Sequence, residues 1–520
     1  MTTSSKTTSD TPAPPADGLA RKRWLALAAP VFGLMIVGLD ATILTVALPT
    51  LATDLKATTT ELQWFTDAYT LPFAGLLLPL GVLGDRVGRR IVLVSGLLLF
   101  GAGSALGMVV DTADGLIVAR VVMGVGAAAI TPLALSIVPL MFPPEERSKA
   151  MAIATAGFAL GVPLGPLAGG WLLDNYWWGS IFLINLPIVA IAVIGILVFV
   201  PETKAANPKR LDLVGTLLSV AGVTAFVYGV IEIPNAGWSD PPVLAATVGG
   251  LALMALLFVW LRRTANPLVN LGFFRNARFT WSSVAVSVVM FILFGVLFVV
   301  PQFFQQVQGK DALSTGLHLL PLILALVVAA RVGGRLVERV GTKAVVATGM
   351  VLWVVGLVVL ALVEVDTGFG TTGTALAIMG AALGFTMPTT LDAILGSLPA
   401  DEVGAGSALA NSMRQIGASV GVAILGSSLN SAYRNGVDDD IPAAVPEQAR
   451  EAIRDNIAGA AQAAQRLPGE EGRAVMESAR EAFVSGMSAV AVICAALAAV
   501  TTLVVMALLP ARQEADRQTP

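Results

Sequence analysis

The chain has 520 residues, of which 56% are hydrophobic and 13% charged. Soluble domains carry about 25% charged residues, so this chain cannot cover itself against water, and its mean hydropathy of +0.80 places most of its surface in lipid. The formal net charge of −3 excludes a nucleic-acid partner, and a single cysteine (Cys494) and a single histidine (His318) exclude a disulfide framework and a His/Cys metal site.

Residues 1–20 are rich in Thr, Ser, Pro and Ala and read as a disordered cytoplasmic tail. They are not a signal peptide, because the first apolar run is too long and contains Asp40. A membrane-spanning helix needs roughly 20 mainly apolar residues. Fourteen such runs follow, near 24–48, 62–84, 91–110, 115–140, 148–173, 179–200, 212–232, 241–261, 279–306, 313–337, 343–364, 371–397, 403–430 and 483–509. The expected fold class is therefore an all-α integral membrane protein with fourteen spans. Its expected parts are a six-helix half over 21–200, a linker with two extra spans over 201–277, a second six-helix half over 278–510, and a short tail over 511–520. Residues 431–482 form a long extracytoplasmic loop within the second half.

An even number of spans puts both termini on one side, and the positive-inside rule says which. With cytoplasmic termini, the inner short segments carry twenty Lys and Arg, from Arg21 through Arg86, Arg147, Arg262, Arg275 and Arg335 to Arg517. The outer short loops carry only Lys56 and Lys310. The expected location is the cytoplasmic membrane with both termini inside.

The halves repeat. Gly81-x-x-x-Asp85-Arg86-Val87-Gly88-Arg89-Arg90 after span two returns as Gly334-x-x-x-Glu338-Arg339-Val340-Gly341-Thr342-Lys343, offset by 253 residues. Gly124, Pro132, Pro143, Glu145, Glu146, Gly161, Gly165 and Gly170 return at an offset of 256 as Gly380, Pro388, Pro399, Asp401, Glu402, Gly417, Gly421 and Gly426. Parallel repeats of this kind place a substrate near the bilayer midplane between the halves.

Charged side chains inside a span are functional candidates by default, since each costs roughly 2.5–3.5 kcal/mol on insertion scales. Asp40 lies just beyond the middle of span one. An acid there can trade a proton against a substrate, because burial disfavours its charged form. Asp67 lies in the outer part of span two, on one face with Gln63 and Thr70, and is expected nearer water. Arg120 lies in the second turn of span four. It keeps its charge, so it can hold a neighbouring acid but cannot carry the proton. Gly157, Gly161, Gly165 and Gly169 give span five a face without side chains, and Pro163 and Pro166 interrupt its hydrogen bonding. Ser407, Asn411, Gln415 and Ser419 form a polar stripe in span thirteen with Arg414 beside it. Such a stripe cannot face lipid, so these side chains are expected to line a cavity.

Several motifs together carry a resemblance. They are Leu39-Asp40-x5-Val46-Ala47-Leu48-Pro49, the Gly81–Arg90 loop, Arg120-x3-Gly124-x-Gly126, Gly157-x3-Gly161-x-Pro163-x-Gly165-Pro166-x-x-Gly169-Gly170, Phe182-Leu183-Ile184-Asn185-Leu186-Pro187 and Ser407–Gly421. Over nearly its whole length the sequence resembles the fourteen-span drug:proton antiporters of the major facilitator superfamily. Two departures stand out. Trp177-Trp178-Gly179 lacks the Arg of an aromatic-Arg-aromatic triplet, and Leu322–Ala330 lacks an acid found in some exporters of dications.

The resemblance implies a secondary transporter that exports hydrophobic, in some cases cationic, small molecules in exchange for protons. It implies Asp40, Asp67 and Arg120 in proton or substrate coupling. It also implies a cytoplasmic gate at Gly81, Asp85, Arg86, Gly88, Arg89 and Arg90, and an antiporter motif at Gly157, Gly161, Pro163, Gly165, Pro166, Gly169 and Gly170. From the stripe itself, Ser407, Asn411, Arg414 and Gln415 are expected to line the central cavity, in contact with substrate or water. No catalytic residue, cofactor or metal is expected, and the protein is expected to be a monomer. A dedicated exporter of one endogenous metabolite fits the same residues. A membrane-embedded enzyme or a sensor is a remote alternative. Direct ATP drive is disfavoured by the lack of a phosphate-binding Gly-x4-Gly-Lys-Ser/Thr loop.

Overall fold

The structure is a computed structural model that describes residues 16–204, 212–264, 267, 271–398, 403–437, 441, 445, 447–467 and 469–510. All regular structure among them is helical, as hydrocarbon requires of a chain that must satisfy its own backbone. The first half is built from α1 (Ala16–Asp54), α2 (Thr59–Val87), α3 (Arg89–Val109), α4 (Ala113–Met141), α5 (Pro144–Asn175), the short α6 (Ser180–Leu183) and α7 (Asn185–Phe199). Then come α8 (Leu213–Ala236) and α9 (Pro241–Arg263). The second half runs through α10 (Ala277–Gln302), α11 (Ala312–His318), α12 (Leu320–Ala361), α13 (Phe369–Leu395), α14 (Val403–Val437), α15 (Glu447–Asp455), α16 (Ile457–Ala464) and α17 (Gly469–Leu508).

Among the described residues, eleven stretches are long and apolar enough to cross a membrane. One of them, Ala312–Ala361, is 50 residues long and breaks at Gly341, whose φ of 83° lies outside helical space. The more polar α5 and α14, of 32 and 35 residues, occupy the places of the fifth and thirteenth expected spans. Two boundaries differ from expectation. Residues 16–20, read from sequence as part of a disordered tail, are the first turns of α1. The expected loop 431–482 is largely helical: α14 runs on to Val437, α15 and α16 follow, and α17 starts at Gly469.

Turn chemistry sets the helix ends. Thr58 and Glu61 form a reciprocal capping box at the start of α2. Gly88, with φ 140°, makes the corner between α2 and α3, a conformation open to glycine and little else. Gly341 is its counterpart under the 253-residue repeat and also has a positive φ. Packing repeats as well. A methyl group on Gly124 would strike the Tyr69 carbonyl oxygen, and one on Gly380 would strike that of Leu322. Gly161 and Gly165 press on the backbone of Met35 and Leu39, as Gly417 and Gly421 press on that of Ser287 and Phe291. The duplication seen in sequence is thus present as the same close helix contacts in both halves.

The two inserted helices differ in role. The apolar side chains of α8, Val223, Val227 and Ile231, cluster with Leu71 of α2 and Ala423 of α14, and the Ser427 hydroxyl donates to the Val230 carbonyl at 3.0 Å. Helix α8 therefore lies along the seam between the halves. Helix α9 packs on α8 and leaves most of its side chains exposed, as a lipid-facing helix would.

The hydrogen bonds described between the halves gather towards the end of the bundle opposite the termini. There Asp174 accepts from the Ala312 and Leu313 amides at 3.1 and 2.9 Å. Gln305 donates to the Val46 carbonyl at 2.8 Å. Thr59 donates to the Asp455 carbonyl at 2.6 Å, and Asn456 to the Ala57 carbonyl at 3.0 Å. At the terminal end, the ties among the described residues do not join one half to the other. Arg89 N–H donates to the Thr203 carbonyl at 2.9 Å, Arg278 donates to Thr342 at 3.0 Å, and Asn276 donates to the Ser397 carbonyl at 3.2 Å.

Candidate functional site

Asp40 sits in the apolar middle of α1, at the level where α5 presses closest. A side chain on Gly161 would strike the Met35 carbonyl, and one on Gly165 would strike the Thr42 hydroxyl, which donates to the Val162 carbonyl at 2.8 Å. With one flank of α1 occupied by that backbone contact, Asp40 meets α4. Its Oδ2 accepts from Arg120 at 2.7 Å, and both side chains are sealed, at 0% and 2% exposure. The Arg120 Nε donates to the Phe65 carbonyl at 2.9 Å. Its guanidinium lies 4.3 Å from the centre of the Tyr69 ring, a cation–π contact of the desolvated kind.

Asn185 also adjoins the Asp40 carboxyl. Its amide donates to Ser104 at 2.9 Å, and Ser104 donates to the Phe182 carbonyl at 2.8 Å. Asn185 and Ser104 did not stand out as site residues from sequence. The available signal was a buried-type polar residue inside the apolar Phe182–Pro187 run.

Asp67 is fully buried, which corrects the expectation that it lies near water. The reason is its partner helix. Ser419 of α14 donates to Asp67 Oδ1 at 2.5 Å, and Gln63, one turn earlier, reaches the Ala423 carbonyl at 3.3 Å and Ser427 at 3.4 Å. The first turns of α2 are covered by the other half rather than by solvent. Of the span-thirteen stripe, Gln415 lines a small cavity with Thr45, Thr66, Tyr69, Thr70, Arg120 and Phe294, while Arg414 donates to Asn411 at 3.0 Å. The side chains of Ser407 and Pro163 lie outside the described residues.

Remote from this cavity, Asp85 pairs with Arg89 at 2.8 Å within its own loop, and Arg86 is exposed. Glu202, unmarked by any motif, accepts from the Arg90 and Ile91 amides at 3.1 and 3.2 Å. It thereby caps the start of α3, an end that favours negative charge. Gly170 and Gly316 lie at the opposite end. A methyl on the former would meet the Ala312 carbonyl at 2.6 Å, and one on the latter the Pro166 carbonyl at 2.6 Å, so α5 and α11 cross there with backbones touching. Gly157 and Gly169 extend the α5–α1 contact to Val31 and Ile43, and Pro166 is buried. Gly81 of the loop motif faces Pro132 of α4.

Two duplicated helical halves with charges buried at their seam form the frame of a transporter, and a family model described as Major Facilitator Superfamily matches residues 31–422. The chain belongs to the major facilitator superfamily. It is a multi-pass membrane transporter and not an enzyme. Among major facilitator relatives, it is 32% identical over 517 residues to the tetracenomycin C resistance and export protein of Streptomyces glaucescens, covering 97% of this chain and 95% of that one. It is also 32% identical to the multidrug efflux pump LfrA of Mycolicibacterium smegmatis, covering 93% and 96% of the two chains. In fold it is similar to a bacterial homologue of the human lysosomal transporter Spinster, solved inward-facing and unoccupied. The TM-score is 0.66 at 17% identity, over 95% of this chain and 98% of that one.

Proposed function

We propose that this protein exports hydrophobic small molecules, drugs or antibiotics among them, across the cytoplasmic membrane in exchange for protons, by alternating access. One observation carries the reading: the sealed Asp40–Arg120 pair, with Arg120 also lining a cavity that Gln415 and Phe294 reach from the other half. Protonating Asp40 removes the charge that holds Arg120. The guanidinium then keeps only the Phe65 carbonyl and the Tyr69 ring, and the cavity wall is free to rearrange around a substrate. Deprotonation restores the pair. The relatives named for efflux and antibiotic resistance support the substrate class.

In this proposal the termini are cytoplasmic, so the end tied by Asp174, Thr59 and Asn456 is the outer one, and the bundle opens inward. Gly81, Asp85, Arg86, Gly88, Arg89 and Arg90 form the inner gate. In the present state Asp85 holds Arg89 within the first half, and no ion pair among the described residues joins this motif to the second half. The Gly157–Gly170 face seals α5 against α1 and α11 and blocks proton leak past Asp40. The unit is a monomer, since each half supplies its own wall of the cavity.

The test is transport in proteoliposomes of purified protein with an imposed pH gradient, a hydrophobic fluorescent dye as substrate, and no ATP. Dye movement driven by the gradient and abolished by a protonophore supports the reading. Dye movement only with ATP, or indifferent to the gradient, overturns it.

A further inference from the structure

The charge balance of the buried network is incomplete. Asp40 and Arg120 neutralise one another, which leaves Asp67 on α2 and Arg414 on α14. Asp67 Oδ1 has the Ser419 hydroxyl and no cation, while Oδ2 is buried without a hydrogen-bond partner. Arg414 has the Asn411 amide oxygen and no acid among the described residues, while its Nε is buried without a partner. An acid and a base, each held by a neutral group, sit on two helices that pack against each other across the seam.

Their register is fixed by three contacts: Gln63 with Ala423 and Ser427, Asp67 with Ser419, and Leu71 in one cluster with Ile416 and Val420. The helices therefore run antiparallel. Arg414 lies five residues before Ser419, or about 7.5 Å along the axis, which a long flexible arginine can span. Thr66 and Thr70, which flank Asp67 in α2, line one small cavity with Gln415, the neighbour of Arg414.

We propose that Asp67 and Arg414 are a second acid–arginine couple, formed across the two halves when Asp67 is deprotonated and released to the unpaired arrangement seen here, with Asp67 bonded to Ser419, when Asp67 takes up a proton. The proposal rests on the proton-coupled reading and deepens it. Asp40–Arg120 joins helices of one half, whereas Asp67–Arg414 joins the halves themselves, so its proton acts directly on the interface that must open. The proton leaves the Asp67 carboxyl for cavity water as the guanidinium arrives. The other titratable or charged groups on elements around this face are Tyr69 on α2 itself, Asp40 on α1, Arg120 on α4, and Tyr228 and Glu232 on α8. Asp40 and Arg120 are already paired, and Arg414 is the cation without a carboxylate.

Substrate counterflow, measured in proteoliposomes without a pH gradient, tests this for wild type, D67N, R414Q, D67N/R414Q and Arg414→Lys. Each single neutralisation leaves one buried charge without its partner, so D67N and R414Q should each slow counterflow at least tenfold. The double variant should return to within about threefold of wild type, and Arg414→Lys should retain the wild-type pH profile that R414Q displaces. A double variant slowed by the product of the two single effects would overturn the couple. If R414Q fails to reach the membrane, D67N against the double variant still decides, since only a true couple restores activity on losing the second charge. Counterflow needs no gradient, so these outcomes stand apart from the gradient-driven test of the function itself.

Discussion

Arg120 and Asp40 meet at 2.7 Å with both side chains withdrawn from solvent, although their helices, α1 and α4, are separated by two others in the chain. Breaking a buried ion pair by removing one partner typically costs 3–5 kcal/mol. Evolution of an ordinary helix packing gains nothing from such a pair, because well-packed apolar residues of similar volume do as well. The second half makes the comparison within one molecule. Under the repeat set by the shared glycine contacts, the positions of Asp40 and Arg120 are taken by Ile292 and Leu376, both buried. The second half packs without charges at these positions, which supports the proposal that in the first half the pair serves transport rather than folding.

Arg120→Ala leaves Asp40 buried without its cation. We expect loss of gradient-driven transport together with a loss of about 3–5 kcal/mol of stability, read as a lower melting temperature of the detergent-purified protein. Arg120→Lys keeps the charge but not the fork that reaches Asp40 and the Phe65 carbonyl together, and should fall between the two. An Arg120→Ala protein as stable and active as wild type would show that the pair is idle.

Gly161→Ala places a methyl against the Met35 carbonyl, where backbone rather than a side chain stands in the way. Overpacking of this kind costs about 1–3 kcal/mol. The expected result is weaker coupling, seen as faster proton leak into empty proteoliposomes. Gly249→Ala, where a methyl meets nothing within 4 Å, is the control and should leave leak unchanged.

Thr59 and Asn456 tie the turn before α2 to the α15–α16 segment. Cutting both, in Thr59→Ala/Asn456→Ala, removes these two ties, worth about 0.5–1.5 kcal/mol each, together with the bond by which Asn456 Oδ1 caps α16 at the Gly459 amide. It should shift the population towards the state open at that end. Labelling of a cysteine placed at Gln306, whose side chain makes no hydrogen bond, in a Cys494→Ala background, by a membrane-impermeant reagent from outside should rise several-fold. Unchanged labelling would show that these ties do not govern opening.

Burial raises the Asp455 carboxyl above its ordinary value of 3.8, and the neighbouring Arg434 offsets this only in part. An acid raised in the folded state stabilises the fold below that ordinary value, and the contribution is lost as pH rises through the folded value. Relative to Asp455→Asn, the wild-type melting temperature should therefore fall as pH is raised from about 4 towards neutrality. A difference between the two proteins that stays flat with pH would contradict this.

Much of the architecture was legible because lipid imposes simple rules. Apolar runs of spanning length marked the helices, and the Gly88 and Gly341 loops revealed the duplication that the positive φ values and shared glycine contacts repeat in three dimensions. Asp40 and Arg120 could be named singly, but 80 residues of separation hid their contact. Asp67 was misplaced near water because its depth in α2 says nothing of α14, which covers it through Ser419. Glu202 carries no local pattern and acts on α3 from far along the chain, and the Phe182–Pro187 run that holds Asn185 says nothing of the Ser104 hydroxyl its amide reaches. The helical character of 447–464 shows only as a helix-favouring composition, polar in 447–455 and alanine-rich in 457–464, with no span-length apolar signal to place it.

The central claim is that the Asp40 proton drives export. The direct measurement compares wild type with Asp40→Asn in proteoliposomes, recording substrate accumulation under an imposed pH gradient beside counterflow without one. The account predicts that Asp40→Asn loses accumulation against a gradient while counterflow persists, because the asparagine cannot take up and release the proton. Accumulation in Asp40→Asn equal to that of wild type would contradict it.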